Sequence, residues 1–197
     1  GAFADTQTNH CVAIGTSAMD AALDNVDGTV AIGSDALGAL TSGAKNIAIG
    51  YSAMSAQTDG VENIAIGYEC MDAADSGETG NIAIGYGTMG TMNNSASDTN
   101  IAIGNYALDH TSTAAVHSCV ALGYGSLGAA NHADASGSTA LGTSALAGVT
   151  SAIGTTAVGY TAGLNIIDAD ANTAIGYEAF NLIAHCNADN NTAIDYQ

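Results

Sequence analysis

Small and apolar residues alternate along this chain in short segments of period two, and each segment is centred on an alanine. The tripeptide Ala-(Ile/Leu/Val)-Gly recurs every 17 to 19 residues, with Asp195 replacing the glycine in the last copy. A fixed period of this size is typical of solenoid architectures. We number each repeat from its alanine, position 0; the eleven anchors are Ala13, Ala31, Ala48, Ala65, Ala83, Ala102, Ala121, Ala140, Ala157, Ala174 and Ala193.

The residues flanking the anchor also recur in columns. Position −1 is Val or Ile in the first seven copies and Thr in the last four, and position +1 is always aliphatic. Position +6 is Met or Leu in eight copies, and position −2 is Asn in six. The alternation predicts a strand with one bulky face, made of −1 and +1, and one bare face, made of Ala and the glycine at +2. Asparagines at −2 are expected to cap turns through their side chains.

These columns predict an all-β protein, a parallel β-solenoid or β-roll of about eleven coils in a single repeat domain covering 1–197. A second short strand is expected at +5 and +6. A unit this short cannot bury its own apolar face, so the coils must stack. The bulky +1 column is predicted to form the core: Ile14, Ile32, Ile49, Ile66, Ile84, Ile103, Leu122, Leu141, Val158, Ile175 and Ile194.

The bare Ala/Gly face allows two interpretations. Small residues suit the interior of a tight coil. They also suit a surface that a neighbouring chain approaches closely, as in a homotrimer. Both stay open at the level of the sequence.

Tyrosine fills position +3 in seven copies, and its side chain has two possible orientations. Outward rings would form an amphipathic stripe able to contact sugars or protein. Inward rings would be core packing, which the shared parity of +3 with the aliphatic face favours. The candidate binding residues are Tyr51, Tyr68, Tyr86, Tyr124, Tyr160 and Tyr177.

The charge of the chain excludes several partners. Its formal net charge is −18, with 19 acidic residues and Lys45 as the single Lys or Arg. Binding of nucleic acid or anionic lipid requires basic side chains, so neither is expected. No apolar run is long enough to insert into a membrane, and no signal peptide is visible. Without an initiator Met, the sequence is interpreted as a piece of a longer or processed chain.

The chemistry-bearing residues do not form an enzyme motif. The cysteines at 11, 70, 119 and 186 never fall in adjacent coils, so they are expected to be free thiols, as in a reducing cytosol. The five histidines stand in connectors or at coil entries without a nucleophile at motif spacing, so no catalytic residue is predicted. Residues 168–172 resemble the start of a calcium loop but lack its Gly and Glu. We predict no metal site and no cofactor, while the acidity leaves bound Ca²⁺ or another cation open.

The repeats resemble a known family. Asn-Ile-Ala-Ile-Gly-Tyr at 46–51, 63–68 and 81–86, and Asn-Thr-Ala-Ile at 191–194, are similar to the "NTAIGYxAL" repeats of phage tail-fibre-like proteins. They resemble less closely the head repeats of trimeric autotransporter adhesins of the YadA type. The resemblance covers residues 9 to 197 and implies a parallel β-roll or β-solenoid, a homotrimer, and attachment to a cell surface. Some phage relatives remove a C-terminal chaperone from themselves after assembly.

We therefore expect a structural or adhesive shaft of a phage tail fibre or similar surface appendage, assembled in the cytosol and located on the virion tail or the extracellular surface. Its expected partners are itself, other virion or appendage proteins, and a glycan or protein receptor on the cell. The alternatives are a bacterial trimeric surface adhesin head and a monomeric ice- or glycan-binding β-solenoid. A depolymerase tailspike would need longer coils and a carboxylate cluster in one groove.

Overall fold

The computed structural model describes residues 10–21, 24–109, 115–129, 136–151, 153–166, 170–181 and 189–194. In these ranges the chain is all-β and forms a β-solenoid. None of the described segments is a helix with the length and apolarity to cross a bilayer.

Each anchor alanine is the middle residue of a three-residue strand. The strands are β1 (Val12–Ile14), β2 (Val30–Ile32), β3 (Ile47–Ile49), β4 (Ile64–Ile66), β5 (Ile82–Ile84), β6 (Ile101–Ile103), β7 (Val120–Leu122), β8 (Thr139–Leu141), β9 (Thr156–Val158), β10 (Thr173–Ile175) and β11 (Thr192–Ile194). They form one eleven-stranded sheet in sequence order, every pair parallel. Anchor pairs with anchor, as Ala65 does with Ala48 and Ala83. The solenoid and its register are therefore confirmed.

Main-chain hydrogen bonds join each coil to both of its neighbours. In the coil of Ala65, the N–H of Ile64 donates to the Asn81 carbonyl of the next coil, and that of Gly67 donates to the Ile49 carbonyl of the preceding one, both at 2.8 Å. The pattern continues past the strand, where the N–H of Met71 donates to the Thr88 carbonyl at 3.1 Å. Stacking thus satisfies the backbone polar groups that a single coil leaves open.

The prediction of a second strand at +5 and +6 is wrong. Positions +4 and +6 have left-handed dihedrals in the described coils, as in Glu69 (φ 50°) and Met71 (φ 53°), so the backbone alternates in hand and cannot extend. A left-handed residue other than glycine costs about 1–2 kcal/mol. Inter-coil hydrogen bonds and burial of the +6 side chain offset this cost at each coil.

The core lies on the alanine side of the sheet. The anchors from Ala31 to Ala174 have no exposed surface, and they face the buried +6 column of Met19, Leu37, Met54, Met71, Met89, Leu108, Leu127 and Leu146. Of the two interpretations of the bare face, the structure supports the coil interior. A coil this narrow accepts a methyl group opposite a Met or Leu, and it leaves no room for a second large side chain.

The expectation that the +1 column forms the core is corrected by this arrangement. Its members lie on the outer face of the sheet, from half-buried to 58% exposed for Ile14 and 68% for Ile194. The period of two was right, but the inward side was assigned to the wrong parity. The residues concerned are Ile14, Ile32, Ile49, Ile66, Ile84, Ile103, Leu122, Leu141, Val158, Ile175 and Ile194.

A ladder of buried asparagines runs beside the alanines inside the coils. The Oδ1 of Asn63 accepts the main-chain N–H of Asn81, and the Oδ1 of Asn81 accepts that of Asn100, both at 3.0 Å. The Nδ2 of Asn81 donates to the Ser97 carbonyl at 2.8 Å, which fixes the connector. The expected turn capping is therefore present, and the same side chains also bond coil to coil.

Candidate interaction surface

The outer face of the sheet is a long apolar surface without charge. Positions −1, 0 and +1 contain no charged residue in any coil, so the 19 acidic residues all lie elsewhere. The face is two side chains wide, about 7 Å between the −1 and +1 columns, and about 50 Å long at ordinary strand spacing. Its −1 column changes from Val and Ile to Thr at Thr139, Thr156, Thr173 and Thr192. Monomeric proteins rarely expose a continuous apolar area of this kind.

A tyrosine stripe runs along one border of this face. Tyr51, Tyr68, Tyr86, Tyr124, Tyr160 and Tyr177 are 40–57% exposed, so the +3 rings point outward. The structure adds Tyr106, which the sequence columns missed because it stands at +4, behind Asn105 at +3. The Asn105 Oδ1 accepts the main-chain N–H of Tyr86 at 3.1 Å. An aromatic residue one place out of register was the available signal.

The rings of the stripe mostly contact one another. Tyr51 and Tyr68 stack at 5.0 Å between centroids, and Tyr68 and Tyr86 at 5.4 Å. Tyr160 and Tyr177 form a separate stack at 5.3 Å. In these stacks, neighbouring rings partly cover one another's faces, and each tyrosine remains 40–50% exposed. The stripe therefore offers hydrogen bonds and edge contacts rather than open faces for sugar stacking.

A notch interrupts the surface next to Tyr106. Gly87 and Gly90 supply no side chains there, and the ring of Tyr106 lies edge-on to Tyr86 at 5.1 Å between centroids. Burial, and the nearby carboxylates of Glu69 and Asp109, raise the pKa of Asp72. The notch has a volume of about 230 Å³ and is lined by Glu69, Asp72, Tyr86, Gly87, Gly90, Thr91, Tyr106 and Asp109.

A second concavity of about 330 Å³ lies on the connectors, between His117, Ser118, Ser136, Gly137 and Ile153. The main-chain N–H of His117 donates to the Ser136 Oγ at 3.2 Å, so this contact leaves the imidazole out. Asp168, in the segment that resembles the start of a calcium loop, and the histidines 110, 132 and 185 lie outside the described residues.

Cys11, Cys70 and Cys119 form no disulfide within the described ranges, whereas Cys186 lies outside them. Burial raises the pKa of Cys70 to about 12, so its thiol is unreactive at neutral pH. Over the described part of the chain, no group of three or more His, Cys, Asp or Glu is placed to hold a metal ion. Comparison with protein-family models, curated proteins and solved structures finds no match for this chain.

Proposed function

We propose that this chain is a non-catalytic structural and adhesive shaft of a phage tail fibre or similar surface appendage, assembled as a homotrimer through its aliphatic face. The observation that carries the proposal is the uncharged apolar outer face of an otherwise strongly acidic rod. The resemblance of the repeats to tail-fibre-like proteins supports the same reading.

The geometry of the face favours a second copy of the chain as its occupant. The aliphatic side chains repeat once per coil, at the strand spacing of about 4.8 Å, and a partner with the same repeat can match it along its full length. Another copy of this chain has that repeat by construction. With the tyrosine stripe, the face is about 15 Å wide and covers roughly 750 Å², close to the 800 Å² per partner of a stable interface.

Charge makes close approach through any other surface unfavourable. Each chain has a formal charge of −18, so two chains repel each other wherever their connectors face. The outer sheet face removes apolar area from water and brings no carboxylate into contact through its own columns. Three copies around a common axis would cover all three faces and leave the acidic connectors and the outer edges of the tyrosine stripes in water.

The test compares two carboxylates added to the aliphatic face with one carboxylate added to a connector. Ile66→Asp combined with Ile84→Asp puts carboxylates in the aliphatic face, whereas Ala96→Asp puts one on an exposed connector. Sedimentation velocity should show trimers for the unmodified chain and for Ala96→Asp. The double variant should sediment as a single chain of 19.3 kDa, because each buried carboxylate would cost several kcal/mol without a partner.

A double variant that stays trimeric would show that another surface joins the copies. An unmodified chain that is monomeric at all concentrations would contradict the trimeric shaft and favour the monomeric ice- or glycan-binding solenoid. Its candidate surface would then be the Thr-bearing end of the same face, at β8 to β11.

A further inference from the structure

Two polar side chains interrupt interior columns that are otherwise apolar or small. Position +9 holds Leu40, Met92, Val149 and Ile166 in other coils, but Gln57 in the coil of Ala48. Position −5 holds Val26, Gly43, Gly60, Ser97 and Val116 elsewhere, but Glu78 ahead of Ala83. Gln57 and Glu78 both have no exposed surface. The chain therefore places a carboxyl group inside the solenoid, opposite an amide.

The contact between the two side chains leaves two oxygen atoms without a hydrogen bond. The Gln57 Nε2 donates to the Glu78 Oε2 at 3.3 Å. The Oε1 of Gln57 and the Oε1 of Glu78 are both buried without a hydrogen-bond partner. Gly60 leaves the space for this pair, because a Cβ there would collide with the Gln57 amide. Two acceptors without a donor are costly in an interior that excludes water.

We infer that Glu78 is a neutral carboxylic acid in the folded chain at neutral pH, and that its O–H donates to the Oε1 of Gln57. A single proton on the Glu78 Oε1 satisfies both orphaned atoms and closes a reciprocal pair with the amide. The pair then joins the connector after Met54 to the connector before Asn81, one coil step further along the stack, as a proton-dependent lock.

The groups around Glu78 agree with the neutral form. Burial is the main effect that raises its pKa, and the Asp75 carboxylate adds to it. Three hydrogen-bond donors act in the opposite direction and lower it: the main-chain N–H of Glu78 itself, the Gln57 amide and the main-chain N–H of Asn94. Lys45, the single basic side chain besides histidine, is paired with Glu62 at 2.8 Å. No basic side chain is among the groups that shift this carboxyl group.

The lock has a definite pH dependence. Because its pKa is raised in the folded state above the ordinary value of 4.5, Glu78 contributes full stability below that value. The contribution falls as pH rises through the window up to the folded-state pKa. Above that window, the folded interior must hold an unpaired carboxylate.

The test is the unfolding equilibrium of the unmodified chain and of Glu78→Gln between pH 4 and pH 9. A glutamine can form the same two hydrogen bonds with Gln57 without titrating. We expect similar stability at pH 4, and above pH 5 the unfolding equilibrium constant of the unmodified chain should rise relative to that of the variant by up to about tenfold per pH unit. The matched control is Glu62→Gln, an exposed carboxyl group whose pKa is lowered by Lys45, which should not reproduce this rise.

Infrared spectroscopy of the unmodified chain gives an independent result. At pH 7, the carbonyl stretch of a protonated carboxylic acid should be present, and it should be absent in Glu78→Gln. Absence of that band from the unmodified chain, or pH curves of the two chains that stay parallel, would overturn the inference.

Discussion

At the residue scale, the glycine at +2 sets how closely the coils can stack. Gly67 has φ +149°, which side-chain-bearing residues rarely adopt, and a Cβ on it would collide with the main chain of Gly85 in the next coil. The same geometry recurs at the +2 glycines from Gly15 to Gly176, with φ between 131° and 149°. The glycine is therefore required by both conformation and contact.

Gly67→Ala should destabilise the chain by about 3 kcal/mol or more, because backbone strain and overpacking add. The matched control is Gly154→Ala. Gly154 also has a positive φ, +62°, but a Cβ on it would meet nothing within 4 Å. The Gly154→Ala substitution should therefore destabilise the chain by only about 1 kcal/mol. Urea unfolding of the two variants measures the difference, and equal losses would show that inter-coil contact at +2 is unimportant.

The asparagine ladder makes a further prediction at single residues. Asn81→Ala removes the acceptor of the Asn100 N–H and the donor to the Ser97 carbonyl, both inside the coil. Each buried group left unpaired costs about 1–3 kcal/mol. Asn105→Ala is the control, since Asn105 is exposed and water can replace its bond to Tyr86. The midpoint temperature of thermal unfolding should be much lower for Asn81→Ala than for Asn105→Ala. The reverse order would contradict a structural role for the asparagine ladder.

At the scale of the elements, the sequence predicted the strands well because three signals coincide at each one. Period-two alternation, the anchor alanine and the following glycine all locate the same three residues, as at Ile64–Ile66. The turn at +3 to +6 was not predictable in this way. Its alternating left-handed dihedrals fall mostly on Ser, Glu, Met and Leu residues, which carry no local preference for that conformation, and only a few positions hold Gly or Asp. Hydrogen bonds from both neighbouring coils impose it.

The sequence pattern also does not predict which side of each strand faces the interior. Parity shows that Ala65 and Ile66 point to opposite sides, but parity does not say which side is the interior. The larger residue usually faces the interior. Here the coil is too narrow for it, so the smaller residue faces inward instead. The +6 column was the missing constraint, because Met71 can only fill the coil if the residue facing it is small.

Paired alanine substitutions test this assignment. Met71→Ala should cost about 2–5 kcal/mol, because it empties a fully buried site. Ile66→Ala should cost about 1 kcal/mol in the dissociated chain, since its side chain is only half-buried there. Urea unfolding at low protein concentration separates the two. A larger loss of stability for Ile66→Ala than for Met71→Ala would show that the +1 column belongs to the core.

At the scale of the whole molecule, the regular stack separates apolar and charged surfaces. The register of the strands aligns the aliphatic columns on one face, while the acidic residues collect on turns and connectors. This separation is not evident from the sequence, because the sequence pattern predicts that the same aliphatic columns form the core. The outward tyrosines follow from the same correction, since +3 shares the parity of the aliphatic face. The candidate interface is thus a property of the stack rather than of any single motif.

Small-angle X-ray scattering from the unmodified chain tests this account most directly, because one profile gives both mass and length. We predict a mass of three times 19.3 kDa and a rod no longer than one solenoid, about 50 Å, since the copies lie side by side in register. A particle of 19.3 kDa at every concentration, or a longer end-to-end rod, would contradict the aliphatic face as the surface that joins the copies.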